Sequence, residues 1–213
     1  MSTTAAAPVP ESAPSPSARF VEAALDLFLE HGYNGTSLQM IGTRLGVTKA
    51  AVTYHFRSKE ELLEAVIAPA FDDLRQLLED AEGIKRASAR RKQALTSYVE
   101  YLIRQRRVAS WLSRDLAALA HPAVLEPAQE LNGRIDALLI SPSDSPVAQI
   151  WGAAITQALT GPMLTSIEVS DDELHEQLIV IGNHLIRGYQ AALRRAPDDP
   201  KVARPTLVDS GPR

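Results

Sequence analysis

From Phe20 to Leu193 the apolar residues of this chain return every three or four positions, and between its proline-rich ends there is no strand-like alternation of useful length. Side chains repeated at that interval fall on one side of a 3.6-residue turn, so the chain can bury its hydrophobic surface only as a set of packed helices. The spacing predicts an all-α fold.

Start and stop signals divide that pattern into elements. Ser15-Pro16, a cap residue followed by proline, opens a first helix whose apolar face is Phe20, Ala23, Ala24, Leu27 and Phe28. Gly32 is expected to end it in the left-handed region. Thr36 with Gln39 reads as a capping box for a second helix, which buries Leu38, Ile41 and Leu45 and stops at Gly46. Thr48 caps a third, short helix through about Tyr54, with Val47 and Val52 as its core anchors. Ser58 with Glu61 forms another capping box and opens a fourth helix, which Pro69 should kink or end because it has no amide hydrogen to give. Further helices are expected over 72–82, 88–107, 109–120, 124–140, 145–168 and 171–194, with breaks at Pro122 and Pro142 and a kink at Gly161-Pro162. Residues 1–16 and 196–213, rich in Pro, Ala and Ser or in Pro and charge, have little to bury and read as a disordered arm and tail.

Composition removes several function classes. No apolar run reaches the roughly 18 residues of a membrane helix, and the N-terminus lacks the charged and apolar regions of a secretory signal. With no cysteine, disulfides, thiol chemistry and cysteine-based zinc sites are excluded. A cytoplasmic location is expected. Asp172-x-x-His175 is a single copy of a di-iron spacing that needs two copies and further carboxylates, so no metal site is expected. Neither a nucleophile–base pair nor a phosphate loop suggests an enzyme or a cofactor.

The net charge is −4, yet residues 32–59 hold Arg44, Lys49, Arg57 and Lys59 with no acid, leaving −8 for the remainder. A basic island on an acidic body can orient a protein on phosphates. Here the island coincides with two short helices joined at Leu45-Gly46-Val47, the arrangement of a helix-turn-helix. In that motif the second helix enters the major groove. Thr48, Lys49, Ala50, Thr53 and Tyr54 are not needed for the core; Lys49 can donate to guanine, and Ala50 and Thr53 can offer methyls to thymine. The basic side chains at 85–107, interleaved with Leu95, Tyr98, Val99, Leu102 and Ile103, read instead as the solvated face of an amphipathic helix.

Residues 32–66, with Gly32-Tyr33, Gly35-Thr36, Leu45-Gly46-Val47, His55-Phe56 and Ser58-Lys59-Glu60 followed by Leu62, closely resemble the DNA-binding segment of the TetR family of bacterial transcriptional regulators. The resemblance implies an all-helical homodimer with a helix-turn-helix DNA-binding domain, here 17–66, and a larger helical ligand-binding and dimerisation domain, here 67–195. Carried over by position, it implies that Thr48, Lys49, Ala50 and Ala51 face base edges or nearby backbone, that Tyr54, His55 and Lys59 hold phosphates, and that Thr36 adds contacts beside the start of the second helix. Two departures are visible. Thr53 stands where the family usually has tyrosine, and the arm before the first helix carries only Arg19.

The expected function is therefore a dimeric repressor that binds a palindromic operator in double-stranded DNA and is released by a small apolar or amphipathic effector. Tyr98 and Trp111 are the candidate effector contacts. The apolar helices near 145–168 and 171–194 are the candidate dimer interface. The alternatives are a regulator of the same fold controlled by a protein partner or by no effector and, more distantly, a helical enzyme or metal-binding bundle.

Overall fold

The computed structural model describes residues 15–140, 145–165 and 168–195. The expected arm up to residue 14, the break at Pro142 and the tail from Ala196 lie outside them. The described residues form α-helices and one 3₁₀ turn, with no strand among them. The chain divides into two compact units between Val66 and Ile67.

In the first unit, α1 (Pro16–Gly35) starts where the sequence signal stands: the Ser15 hydroxyl accepts the Ala18 amide at 3.2 Å. Phe20, Ala23, Ala24, Leu27 and Phe28 are all buried. Gly32 takes the expected positive φ of 72°, but with ψ 167° it lies in the region open essentially to glycine alone rather than in the left-handed helical one, and one more turn follows it. The start of α2 (Leu38–Leu45) corrects the capping assignment. Its cap is Ser37, whose hydroxyl accepts the Met40 amide, while Thr36 is the buried residue that closes α1. Thr36 donates its hydroxyl inward, toward the carbonyls of Leu27 at 3.1 Å and Gly32 at 2.9 Å, and its amide bonds Tyr33 O. A buried hydroxyl must find such acceptors, which removes it from the capping position.

Gly46 ends α2 in the left-handed conformation, φ 69°, and the Val47 amide reaches back to Gly42 O at 2.8 Å, closing a Schellman-type turn. α3 (Lys49–His55) follows at once, capped by Thr48 through the Ala51 amide at 3.2 Å. Seven residues cannot hold a helix by themselves. Val52, fully buried like Ile41 of α2, anchors it. Val47, expected as a second anchor, is 38% exposed: the reversal at Gly46 turns its side chain outward. Ser58 and Glu61 exchange the bonds of a capping box displaced by one residue, since Glu61 takes the Arg57 amide at 2.7 Å.

α4 (Lys59–Glu82) passes Pro69 without ending, so the expected fourth helix and the segment 72–82 are one element. Proline removes the bond to Ala65 O. The apolar stripe, however, continues unbroken from Val66 and Ile67 to Ala70, Phe71 and Leu74, and burying it outweighs one lost bond.

The second unit continues with α5 (Ala87–Arg104), α6 (Arg106–Arg114), α7 (Leu116–Leu119), α8 (Pro122–Ile140), α9 (Pro146–Thr160) and α10 (Asp171–Arg195). α5 and α8 pack on each other, α8 on α9, and α10 on both α5 and α9. Two predicted helices are divided. Residues 88–107 break at Gln105, and 109–120 break at Asp115, whose carboxylate caps α7 through the Ala118 amide and accepts the Trp111 indole N–H, both at 3.0 Å. The helix expected over 145–168 stops at Thr160 and gives way to a 3₁₀ turn, Gly161–Leu164. No helix among the described residues is long and apolar enough to cross a membrane.

Candidate nucleic-acid interface

The outward face of α3 is built by exclusion. Val52 points into the core, so Ala50 and Tyr54, two positions to either side, lie roughly opposite it, and Lys49, at the start of the helix, and Thr53 are exposed as well. Tyr54 is the extreme case, with 86% of its surface in solvent. The Thr53 hydroxyl donates to Lys49 O at 2.9 Å. Its hydrogen is thereby committed to the helix, leaving the methyl as its distinctive outward group. Thr48 is exposed but spends its oxygen on the cap, and Ala51 is half-buried. The His55 ring is exposed on one side and lies 5.1 Å from the Phe20 ring on the other, with Tyr54 edge-on at 5.3 Å. Structural packing thus orients a ring that still faces solvent.

Gly42 sets how closely the two helices approach. A Cβ there would stand 2.8 Å from Val47 O, so only glycine lets α2 lie against the turn that launches α3. Nothing in the charge or apolar pattern marks Gly42; its signal is a glycine inside a helix, normally a cost.

The four cations of the basic island are not equivalent. Arg44 makes a two-pronged pair with Glu30 at 2.7 and 3.1 Å, and that hydrogen bonding holds the Glu30 carboxyl below its usual range. The Lys59 ammonium donates to Tyr33 O at 2.8 Å and sits 4.3 Å from the centre of the Tyr33 ring. Burial first, and Glu60 second, push the Tyr33 phenol up to about 12, so it stays neutral beneath the ammonium. Lys49 and Arg57 are exposed and enter no ion pair among the described residues. Arg57 and Ser37, exposed on either side of α3 in sequence, were not among the expected contacts. Arg57 was legible as part of the charge island; Ser37 was hidden by the neighbouring threonine.

The second unit holds a cavity of about 250 Å³. Tyr98 lines it, and Tyr101 stacks on Tyr98 at 6.1 Å and 16°. Trp111 does not line it. That indole is buried elsewhere and bonded to Asp115, because a buried N–H requires an acceptor and Asp115 is one helical turn away. Burial pushes the Tyr98 phenol up, a hydrogen bond with Thr160 opposes this, and the Asp136 carboxylate adds to it.

Residues 20–66 match the family described as bacterial regulatory proteins, tetR family. Over 50 residues the chain is 42% identical to the HTH-type transcriptional regulator SrpR of Pseudomonas putida, covering 24% of each chain. Over 60 residues it is 35% identical to IcaR of Staphylococcus aureus, the negative transcriptional regulator of the biofilm operon icaADBC, covering 28% of this chain and 32% of that one. These matches thus span about a quarter to a third of the relatives' own length. The fold as a whole has wider parallels. A regulator of the TerR/AcrR family from Aquifex aeolicus VF5 superposes with a TM-score of 0.60 at 27% identity, over 80% of this chain and 98% of that one. The ketosteroid regulator KstR2 of Mycobacterium tuberculosis gives 0.66 at 15% identity, over 83% and 96%.

Proposed function

We propose that this chain, a transcriptional regulator of the tetR family, is a homodimeric repressor that reads a palindromic operator with one α3 per subunit and is released by a small molecule held in its second unit. The observation that carries the reading is the outward face of α3. A seven-residue helix spends a single residue, Val52, on full burial and leaves Lys49, Ala50, Thr53 and Tyr54 to solvent. Such a helix contributes little to stability, so its side chains are available for a groove.

Within this reading Lys49, Ala50 and Thr53 face base edges, with Thr48 and Ala51 at the margin of the contact, while Tyr54, His55 and Arg57 meet phosphates. Thr36 drops out because its hydroxyl and amide are both spent internally. Ser37 takes its place beside the start of α2. Lys59 braces Tyr33 and reaches a phosphate only by leaving that carbonyl. Dimerisation is supported by apolar side chains left in solvent on α9 and α10: Val147, Ile150, Val180 and Ile181. Two subunits would set two recognition helices at a fixed spacing, about one helical turn of DNA or a multiple apart.

Release follows from linkage. A ligand that favours a dimer with badly spaced α3 helices must lower operator affinity, and the operator must lower ligand affinity by the same factor. The test is selection of bound sequences from random duplex DNA by the purified full chain at near-physiological salt. Recovery of a palindrome is expected, with half-sites about 10 base pairs apart or a multiple. Recovery of unrelated sequences would refute sequence-specific recognition.

A further inference from the structure

We infer that the cavity of the second unit takes a small, uncharged, partly aromatic molecule bearing one or two hydrogen-bonding groups, of the phenol or neutral amide class, in preference to carboxylates or amines. This assignment rests on the reading of that unit as the effector-binding one. Among the described residues, none that lines the cavity is Asp, Glu, Lys, Arg or His. An ion entering it would shed water and meet no counter-charge, a cost that a neutral molecule avoids.

Polarity is distributed unevenly around the walls. α4 contributes apolar surface, including Phe71 and Leu74, and so does α6 through Val108 and Leu112, its one polar lining group being Ser113, whose hydroxyl donates to Ser110 O. α8 and α9 contribute Asn132 and Gln157, which offer neutral donors and acceptors, and Thr156, whose hydroxyl donates to Gly152 O and leaves only an acceptor. The paired rings of Tyr98 and Tyr101 supply flat aromatic surface from α5. A guest with an apolar ring and one polar edge can satisfy both sides at once. The volume, about 250 Å³, falls just below the roughly 300–1,000 Å³ of pockets for drug-sized ligands, which favours one or two fused rings over a long chain.

Two carboxylates act on the cavity's tyrosines, Asp136 on Tyr98 and Asp73 on Tyr101, where Arg104 opposes it. Asp136 lies close enough to act on the Tyr98 phenol, and its buried Oδ1 has no hydrogen-bond partner among the described residues. It is not positioned to receive a cation from the cavity. Its carboxyl packs on the α9 backbone at Gly152, where an added Cβ would lie 2.8 Å from Cγ, and it is not among the lining residues.

Three probes sharing one ring system separate the classes: 2-naphthol, 2-naphthoate and 2-naphthylmethylammonium, each titrated calorimetrically into the full chain at pH 7.5. The naphthol is expected to bind at least about tenfold more tightly than either ion. Ala128→Leu, and independently Ala109→Met, should fill the cavity and weaken naphthol binding at least about tenfold while leaving the dimer and the thermal midpoint near those of the parent. Equal or tighter binding of either ion would overturn the assigned class, as would no naphthol binding up to millimolar concentration. Naphthol binding that neither cavity variant reduces would overturn its location. Operator affinity measured with and without naphthol keeps the two readings apart: cavity-dependent binding that leaves DNA affinity unchanged supports the ligand class and removes the effector role.

Discussion

Tyr54 holds most of its ring in water while Val52, two positions earlier on the same short helix, is wholly buried. That contrast separates the proposed contact from the scaffold. Lys49→Ala and Tyr54→Ala should each weaken operator binding by about tenfold or more and leave thermal stability within about 0.5 kcal/mol of the parent, as read by fluorescence anisotropy and thermal denaturation. Unchanged binding in both would displace α3 from the recognition role. Asp136 offers a test of a different kind. Burial raises its carboxyl to about 6 from 3.8, so the folded chain holds this proton more tightly than the unfolded one. Its contribution to stability is therefore complete below the unfolded value and is lost as pH rises through about 6. Asp136→Asn should flatten that slope and, at pH 8, raise stability on the order of 1 kcal/mol once partial solvent access is discounted. Denaturant titrations at pH 5 and pH 8 decide it; a variant whose pH slope matches the parent's would show that the carboxyl titrates normally.

Among elements, the sharpest constraint is the contact between α2 and the turn before α3. Alanine at Gly42 would gain about 1 kcal/mol of helix propensity, but its Cβ would meet a backbone oxygen at 2.8 Å, not a side chain that can swing away. Gly42→Ala should thus cost about 1–3 kcal/mol net and weaken operator binding by tilting α3, measured by chemical denaturation and DNA titration of the same preparation. The element pattern also explains which boundaries could be read in advance. Ser15, Thr48 and Ser58 were legible because a cap is a local bond between a side chain and an amide three residues on. Pro69, Gln105 and Asp115 were not. Whether a helix survives a proline, or breaks without one, depends on what its flanking residues bury and bond, which sequence spacing alone does not reveal.

For the molecule as a whole, the apolar surface left on α9 and α10 is the feature that a monomer does not explain. Ile150 is 68% exposed in a helix that otherwise packs on α8 and α10. A charge placed there would be desolvated in a dimer and harmless in a monomer. Within the proposed dimer, Ile150→Glu should shift the protein to monomer by sedimentation velocity, and operator binding should fall at least about tenfold because each half-site is then bound alone. A variant that remains dimeric would move the interface away from α9. By itself the sequence determined the all-α class, the helix-turn-helix and its basic island, since periodicity, caps and charge are properties of residues near one another along the chain. Only the tertiary structure decided that Thr36 is buried, that Arg44 and Lys59 are engaged by Glu30 and Tyr33, and that Tyr98 but not Trp111 lines the cavity. Each of those outcomes depends on a neighbour several turns or several helices distant, and close packing, rather than local pattern, selects that neighbour.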